Sequence, residues 1–138
     1  MVAKKPSSLS ASTTSRCTIM GIIILLTANA CAPSCSNDDI QAEASPDMEF
    51  VAHKFSRNCG ATTKFNVQVS IDKLDRNPSG TGNAFIADGG GKPRISIPID
   101  RVHLSWSQGS LLVRYDKNLR IFKQEKQIKG VPILYESF

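Results

Sequence analysis

Phe65-Asn66-Val67-Gln68-Val69-Ser70-Ile71 is the stretch whose reading decides the fold. Apolar residues at 65, 67, 69 and 71 alternate with polar residues at 66, 68 and 70. That period of two sends one set to each face of an extended strand and requires the apolar face to be covered. Working outward, residues 49–55 read as a half-amphipathic strand, 75–82 as a loop and 83–87 as a short strand. Asp88-Gly89-Gly90-Gly91-Lys92-Pro93 is a flexible break. Ile95, Ile97 and Ile99 alternate again, but Pro98 removes a ladder donor and confines that segment to an edge or a bulge.

Val102, Leu104 and Trp106 then alternate as far as Ser107-Gln108-Gly109-Ser110, a hairpin turn signal, and Leu111, Val113 and Tyr115 return from it. Asp116-Lys117-Asn118 turns into residues 119–126, and Lys129-Gly130 leads into residues 131–135. The reading is all-β: a small antiparallel sandwich or open barrel of about seven short strands, with no helix in the domain.

The N-terminal part obeys different physics. Residues 1–16 are rich in Ser and Thr, carry Lys4, Lys5 and Arg16, and hold no acid. About twelve almost wholly apolar residues follow, from Cys17 to Ala28, a signal-peptide length well short of the roughly 20 needed to span a bilayer comfortably. Ala28-Asn29-Ala30 is a small-x-small triplet suited to a signal peptidase. Residues 1–30 are therefore read as a signal peptide, with a retained signal anchor as the alternative. The expected location is the cell envelope outside the cytoplasm, as a membrane-anchored lipoprotein or a periplasmic or secreted protein.

This assignment changes the meaning of the charge. The chain has 138 residues, 17 basic and 12 acidic, for a formal net charge of +5. Three of the basic residues lie in the leader, so 14 remain against 12 and the net falls to +2. A surplus that small gives no reason to expect a nucleic-acid partner. Hydrophobic residues at 41% and charged residues at 21% are ordinary for one folded domain and too apolar for a disordered chain.

Cleavage after Ala30 exposes Cys31 as the first residue, and Ala28-Asn29-Ala30-Cys31 resembles a bacterial lipobox, with Ala28 where Leu is usual. Cys17 leaves with the leader, so Cys31, Cys35 and Cys59 remain. With lipid on Cys31, the other two form a pair and no thiol is left over. With ordinary cleavage, one cysteine stays free or pairs between chains. Residues 31–47, with Pro33, Ser34, Asn37, Asp38, Asp39, Glu43 and Pro46 and only Ile40 large and apolar, read as a flexible tether, leaving 48–138 as the β-rich domain.

Four blocks carry a family resemblance: Ser45-Pro46-Asp47, Asn58-Cys59-Gly60-Ala61-Thr62-Thr63, Gly82 to Asp88, and Arg120 to Glu125 with Gly130-Val131. Together they resemble a family of small, uncharacterised bacterial envelope proteins and lipoproteins that share a Cys-Gly-Ala-Thr-Thr block. The resemblance runs from about Cys35 to Tyr135. Its members tend to carry a Cys soon after the signal peptide, which fits Cys35 as the partner of Cys59. A Gly commonly follows their Ser-Pro-Asp turn, where this chain has Met48. The family brings no activity with it.

Other features point to structure before chemistry. Gly89-Gly90-Gly91-Lys92 lacks the spacing, preceding strand and following helix of a phosphate loop and reads as a hairpin loop. His53 and His103 would need to meet across a sheet beside a carboxylate to bind a metal or move a proton. Cys59, followed by Gly60 and two hydroxyls, suggests a nucleophile beside an oxyanion nest, yet no Cys–His spacing supplies its base. No catalytic, cofactor-binding or metal-ligating set is assigned.

Two classes of function follow. One is a non-catalytic envelope module, held at the membrane by N-terminal lipid or a retained leader, that meets an envelope protein or polymer. The other is a small thiol-dependent or hydrolytic enzyme centred on Cys59. The address is testable first: residues 1–46 fused to a reporter that works only outside the cytoplasm should be active, and palmitate labelling should vanish in Cys31→Ser. A stably produced fusion whose reporter stays inactive would sink the export reading.

Overall fold

The computed structural model describes residues 34–60, 66–90 and 98–138, so the signal peptide, Cys31, Phe65, Thr62, Thr63, Ile95 and Ile97 lie outside the described residues. The strands are β1 (Ser36–Ala44), β2 (Phe50–Asn58), β3 (Asn66–Lys73), β4 (Phe85–Asp88), β5 (Val102–Ser107), β6 (Ser110–Tyr115), β7 (Arg120–Gln124), β8 (Gln127–Ile128) and β9 (Val131–Ser137). A 3-10 turn at Pro98–Arg101 precedes β5. Its Pro98 therefore opens a turn where the sequence suggested an edge strand or a bulge. Among the described residues no helix is long and apolar enough to cross a membrane.

The strands form two sheets, ordered β1-β2-β3-β4-β7 and β5-β6-β9-β8, in a sandwich-like arrangement that is not closed into a barrel. β3 lies at the centre of the first. Val67, Val69 and Ile71 are fully buried and join one core with Ala52, Phe85, Ala87, Val102, Leu111, Val113, Val131 and Ile133 from both sheets. Phe85 of β4 lies between Tyr115 and Tyr135 of the second sheet, with ring centroids 5.5 and 5.9 Å away. Burial pushes the Tyr135 phenol above its ordinary range, and its hydroxyl donates to Glu125 O at 2.8 Å.

The polar face of β3 is covered as well. Gln68 and Ser70 are buried beneath the 78–83 segment. Gly82 N donates to Gln68 Oε1 at 2.6 Å and Asn83 N to Ser70 Oγ at 3.2 Å. The Asn83 side-chain amide pairs with Ile71 N and O at 2.9 and 3.0 Å, standing in for a neighbouring strand. A Cβ on Gly82 would come within 2.9 Å of Gln68 Cβ, so glycine is required by the closeness of the two chains.

Two expectations are corrected. Residues 36–44 do not form a flexible tether: β1 pairs with β2 from Ser36↔Asn58 to Ala44↔Val51, with a bulge after Asp38 where Asp39 has φ 55°. Its side chains are almost all exposed. The strand is ordered by its backbone ladder and by a crosslink at its start, a source of order that apolar content does not report. Nor is pairing wholly antiparallel. β6 and β9 run parallel, Leu111↔Ile133 through Tyr115↔Ser137. The chain leaves β6, adds β7 to the other sheet and returns, which supplies the long crossover that a parallel pair needs.

Since Val69 is fully buried between the sheets, Val69→Asp should abolish cooperative unfolding in a thermal melt, whereas Ile71→Val should retain the fold at a cost of about 1 kcal/mol. A soluble, cooperative Val69→Asp variant would misplace the core.

Candidate binding cleft

Three turns meet at one end of the sheets. The first, Ser45-Pro46-Asp47-Met48, joins β1 to β2. Met48 N donates to Ser45 O at 2.9 Å, Ser45 Oγ to Asp47 Oδ1 at 2.5 Å and Glu49 N to the same Oδ1 at 3.0 Å, while Phe50 N donates to Ser45 Oγ at 3.0 Å. Met48 takes the left-handed conformation, φ 59°, which non-glycine residues seldom adopt. The Ser45 hydroxyl and then the Glu49 N–H hold the Asp47 carboxyl below the usual carboxylate range.

The other two turns are two-residue hairpin connections, Gln108-Gly109 and Lys129-Gly130. Both residues of each have positive φ (49° and 76°, 52° and 86°), the type I′ geometry whose twist suits antiparallel strands. Lys129 Nζ reaches the first sheet, donating to Asp72 Oδ1 at 2.9 Å and Ile71 O at 3.1 Å.

Between the turns lies a cleft of 540 Å³, lined by Ser45, Pro46, Asp47 and Glu49 of the first turn, Gly109 of the second, Lys129 and Gly130 of the third, and Phe50, Trp106 and Val131. Trp106, the only tryptophan, is half-buried on the inner face of β5, and its indole Nε1–H donates to Glu43 O of β1 at 2.9 Å. That bond fixes the ring and ties the edges of the two sheets. Lys73 Nζ lies 4.4 Å from the Phe50 ring centroid and 2.7 Å from Glu49 Oε1. The lining thus mixes the apolar surfaces of Pro46, Phe50, Trp106 and Val131 with polar and charged groups, a combination that can orient a ligand.

A smaller hollow of 140 Å³ lies nearby, lined by Gln41, Glu43, Lys54, His103 and Leu104. Lys54 is buried, and its ammonium donates to Val102 O of the opposite sheet at 2.7 Å. Burial lowers its pKa, while Asp100 and Glu43 oppose that shift.

The residues singled out in the sequence lie elsewhere. Cys59 is bonded to Cys35, with Cα atoms 4.1 Å apart, beside the first rung of the β1–β2 ladder. A sulfur so bonded offers no thiolate. His53 is 4% exposed on the outer face of the first sheet, whereas His103 is exposed on the second with its ring 5.7 Å from that of Phe138. The two do not converge on a site. Gly90 N donates to Asp88 Oδ1 at 2.9 Å in a turn with φ 69°, and residues 91–97 lie outside the described residues. Among the described residues no group of three or more His, Cys, Asp or Glu is placed to hold a metal.

Each turn is legible in the sequence, and the cleft is not. Trp106 registered only as one beat of an alternation, and nothing local shows that residues near 47, 108 and 129 share one end. No family model matches the chain, and neither a curated protein nor a solved structure matches it.

His53 Nδ1 is buried without a hydrogen-bond partner and stands 4.0 Å from Asp72 Oδ2. Burial depresses the imidazole below its ordinary 6.5 despite the opposing pull of Asp72. As pH falls below 6.5 the unfolded chain takes up this proton before the folded one does, so stability is full above that value and declines towards the folded pKa. Urea denaturation midpoints should drop on going from neutral to mildly acidic pH, and His53→Gln should flatten that decline.

Proposed function

We propose that this chain is an exported β-domain of the cell envelope, held at the membrane through lipid on Cys31 or a retained leader, and that it binds an envelope protein or polymer without transforming it. The observation that carries the binding role is the cleft built by three turns around Trp106. Its ring is fixed by the hydrogen bond it donates to Glu43 O of the opposite sheet, so an occupant meets a tryptophan already in place. The Cys35–Cys59 bond supports the non-catalytic half of the reading, because the competing thiol enzyme requires a free Cys59. The leader supports the address, since an oxidising compartment is where such a bond persists.

The test uses the full exported chain. Unreduced native protein should take up no alkylating reagent at Cys59. Replacing Cys35 and Cys59 by Ser should cost on the order of 2–4 kcal/mol while the surviving folded fraction keeps its retention on isolated envelope material. Trp106→Ala should lower that retention about tenfold. Retention indifferent to Trp106 would remove the cleft from the function, and ready alkylation of Cys59 in the native chain would transfer the assignment to the enzyme.

A further inference from the structure

The charges around the cleft are unevenly satisfied. Lys129 lines it, but its ammonium is committed to Asp72 and Ile71 O. Glu49 is neutralised by Lys73 at 2.7 Å. Asp47 is left over. Its Oδ1 accepts from Ser45 Oγ and Glu49 N, and among the described residues no cation stands within 4.0 Å of its carboxylate. Oδ2 takes neither of those hydrogen bonds. The local sum of these side chains is one negative charge, carried on an exposed turn that lines the same cleft as Trp106.

From this juxtaposition we propose that the cleft takes an organic cation, an ammonium or guanidinium group on an aliphatic stem, with its charge against Asp47 and its stem along Trp106. The proposal rests on the reading of the cleft as a binding site and names what it binds. A neutral ligand would leave Asp47 without a counter-charge. An anion would meet it directly, and the one cation lining the cleft is already paired. An organic cation answers both surfaces: its N–H groups donate to a carboxylate with free acceptor capacity, and Trp offers the most favourable aromatic face for a positive charge. Pro46, Phe50 and Val131 give the stem an apolar surface to cover.

Trp106 is the sole tryptophan, so intrinsic fluorescence reports on the cleft directly. Titration of the full chain with acetyl-lysine amide, acetyl-arginine amide and spermidine should shift or quench the emission saturably, while acetyl-glutamine amide and maltotriose leave it unchanged. Raising salt from about 0.05 to 0.5 M should weaken the effect several-fold, because an exposed ion pair is screened.

Asp47→Asn keeps an Oδ1 acceptor for Ser45 and Glu49, so the turn survives, and by calorimetry it should bind the cations roughly fivefold more weakly. Trp106→Phe, measured the same way, should also weaken binding and covers the case in which the Asp47 variant is poorly folded. Tighter binding of the peptide amides than of spermidine identifies a basic side chain on a partner protein, and the reverse identifies a free polyamine; both support the proposal. Unchanged affinity in a folded Asp47→Asn variant would overturn it. A response to maltotriose with the cations silent would overturn the cation and leave the cleft standing. Silence of every probe, together with envelope retention indifferent to Trp106, would overturn both.

Discussion

β3 has to be buried on two unlike faces at once, and the arrangement of the domain follows from meeting that demand. Its apolar face needs a second sheet, which β5, β6 and β9 supply through Val102, Leu111, Val113 and Ile133. Its other face carries Gln68 and Ser70, whose burial would cost several kcal/mol if their polar atoms were left unpaired. The 78–83 segment meets that requirement by presenting Gly82 N to Gln68 and Asn83 N to Ser70, while the Asn83 amide pairs with the Ile71 backbone. Its close approach is possible only because residue 82 has no side chain. The loop between β3 and β4 is thus a third, thin layer over the first sheet.

What could be read beforehand was local. The alternation from Val67 to Ile71 identified the central strand because burial of one face leaves a record in every second residue. Gln108-Gly109 announced a hairpin because a two-residue loop demands positive φ. The pairing of Cys35 with Cys59 was accessible from cysteine parity once lipid on Cys31 was assumed, with the family resemblance behind it. What escaped was order that no apolar face records. β1 is polar on both sides, so a criterion based on buried area assigned it to a tether, although its backbone groups are satisfied by β2. The parallel β6–β9 pair escaped because pairing direction depends on where the chain travels between strands. His53 shows the same limit from the other side: it alternates as a polar residue should, yet lies under cover on a face expected to be solvated.

The cleft is a product of topology in the same sense. β1 to β2, β5 to β6 and β8 to β9 all reverse direction at one end, and the sandwich brings those reversals together. Each turn is rigid for its own reason: Asp47 gathers the first through two hydrogen bonds, and the other two are held by φ values that admit few alternatives. Lys129 and Trp106 then tie the sheets across the gap. A surface assembled from short, tied turns is fixed before anything binds to it.

The bond between Cys35 and Cys59 also determines how the domain bears a mechanical load. It sits just outside the Ser36↔Asn58 rung, while the Ser45–Met48 turn closes the opposite end of the same ladder. β1 and β2 therefore form a covalently closed loop. Tension entering from the N-terminal side passes through sulfur directly into β2, which is paired on both edges, and bypasses the β1 hydrogen bonds that would otherwise open one by one. The polar edge strand that contributes least to the core is thereby exempt from peeling.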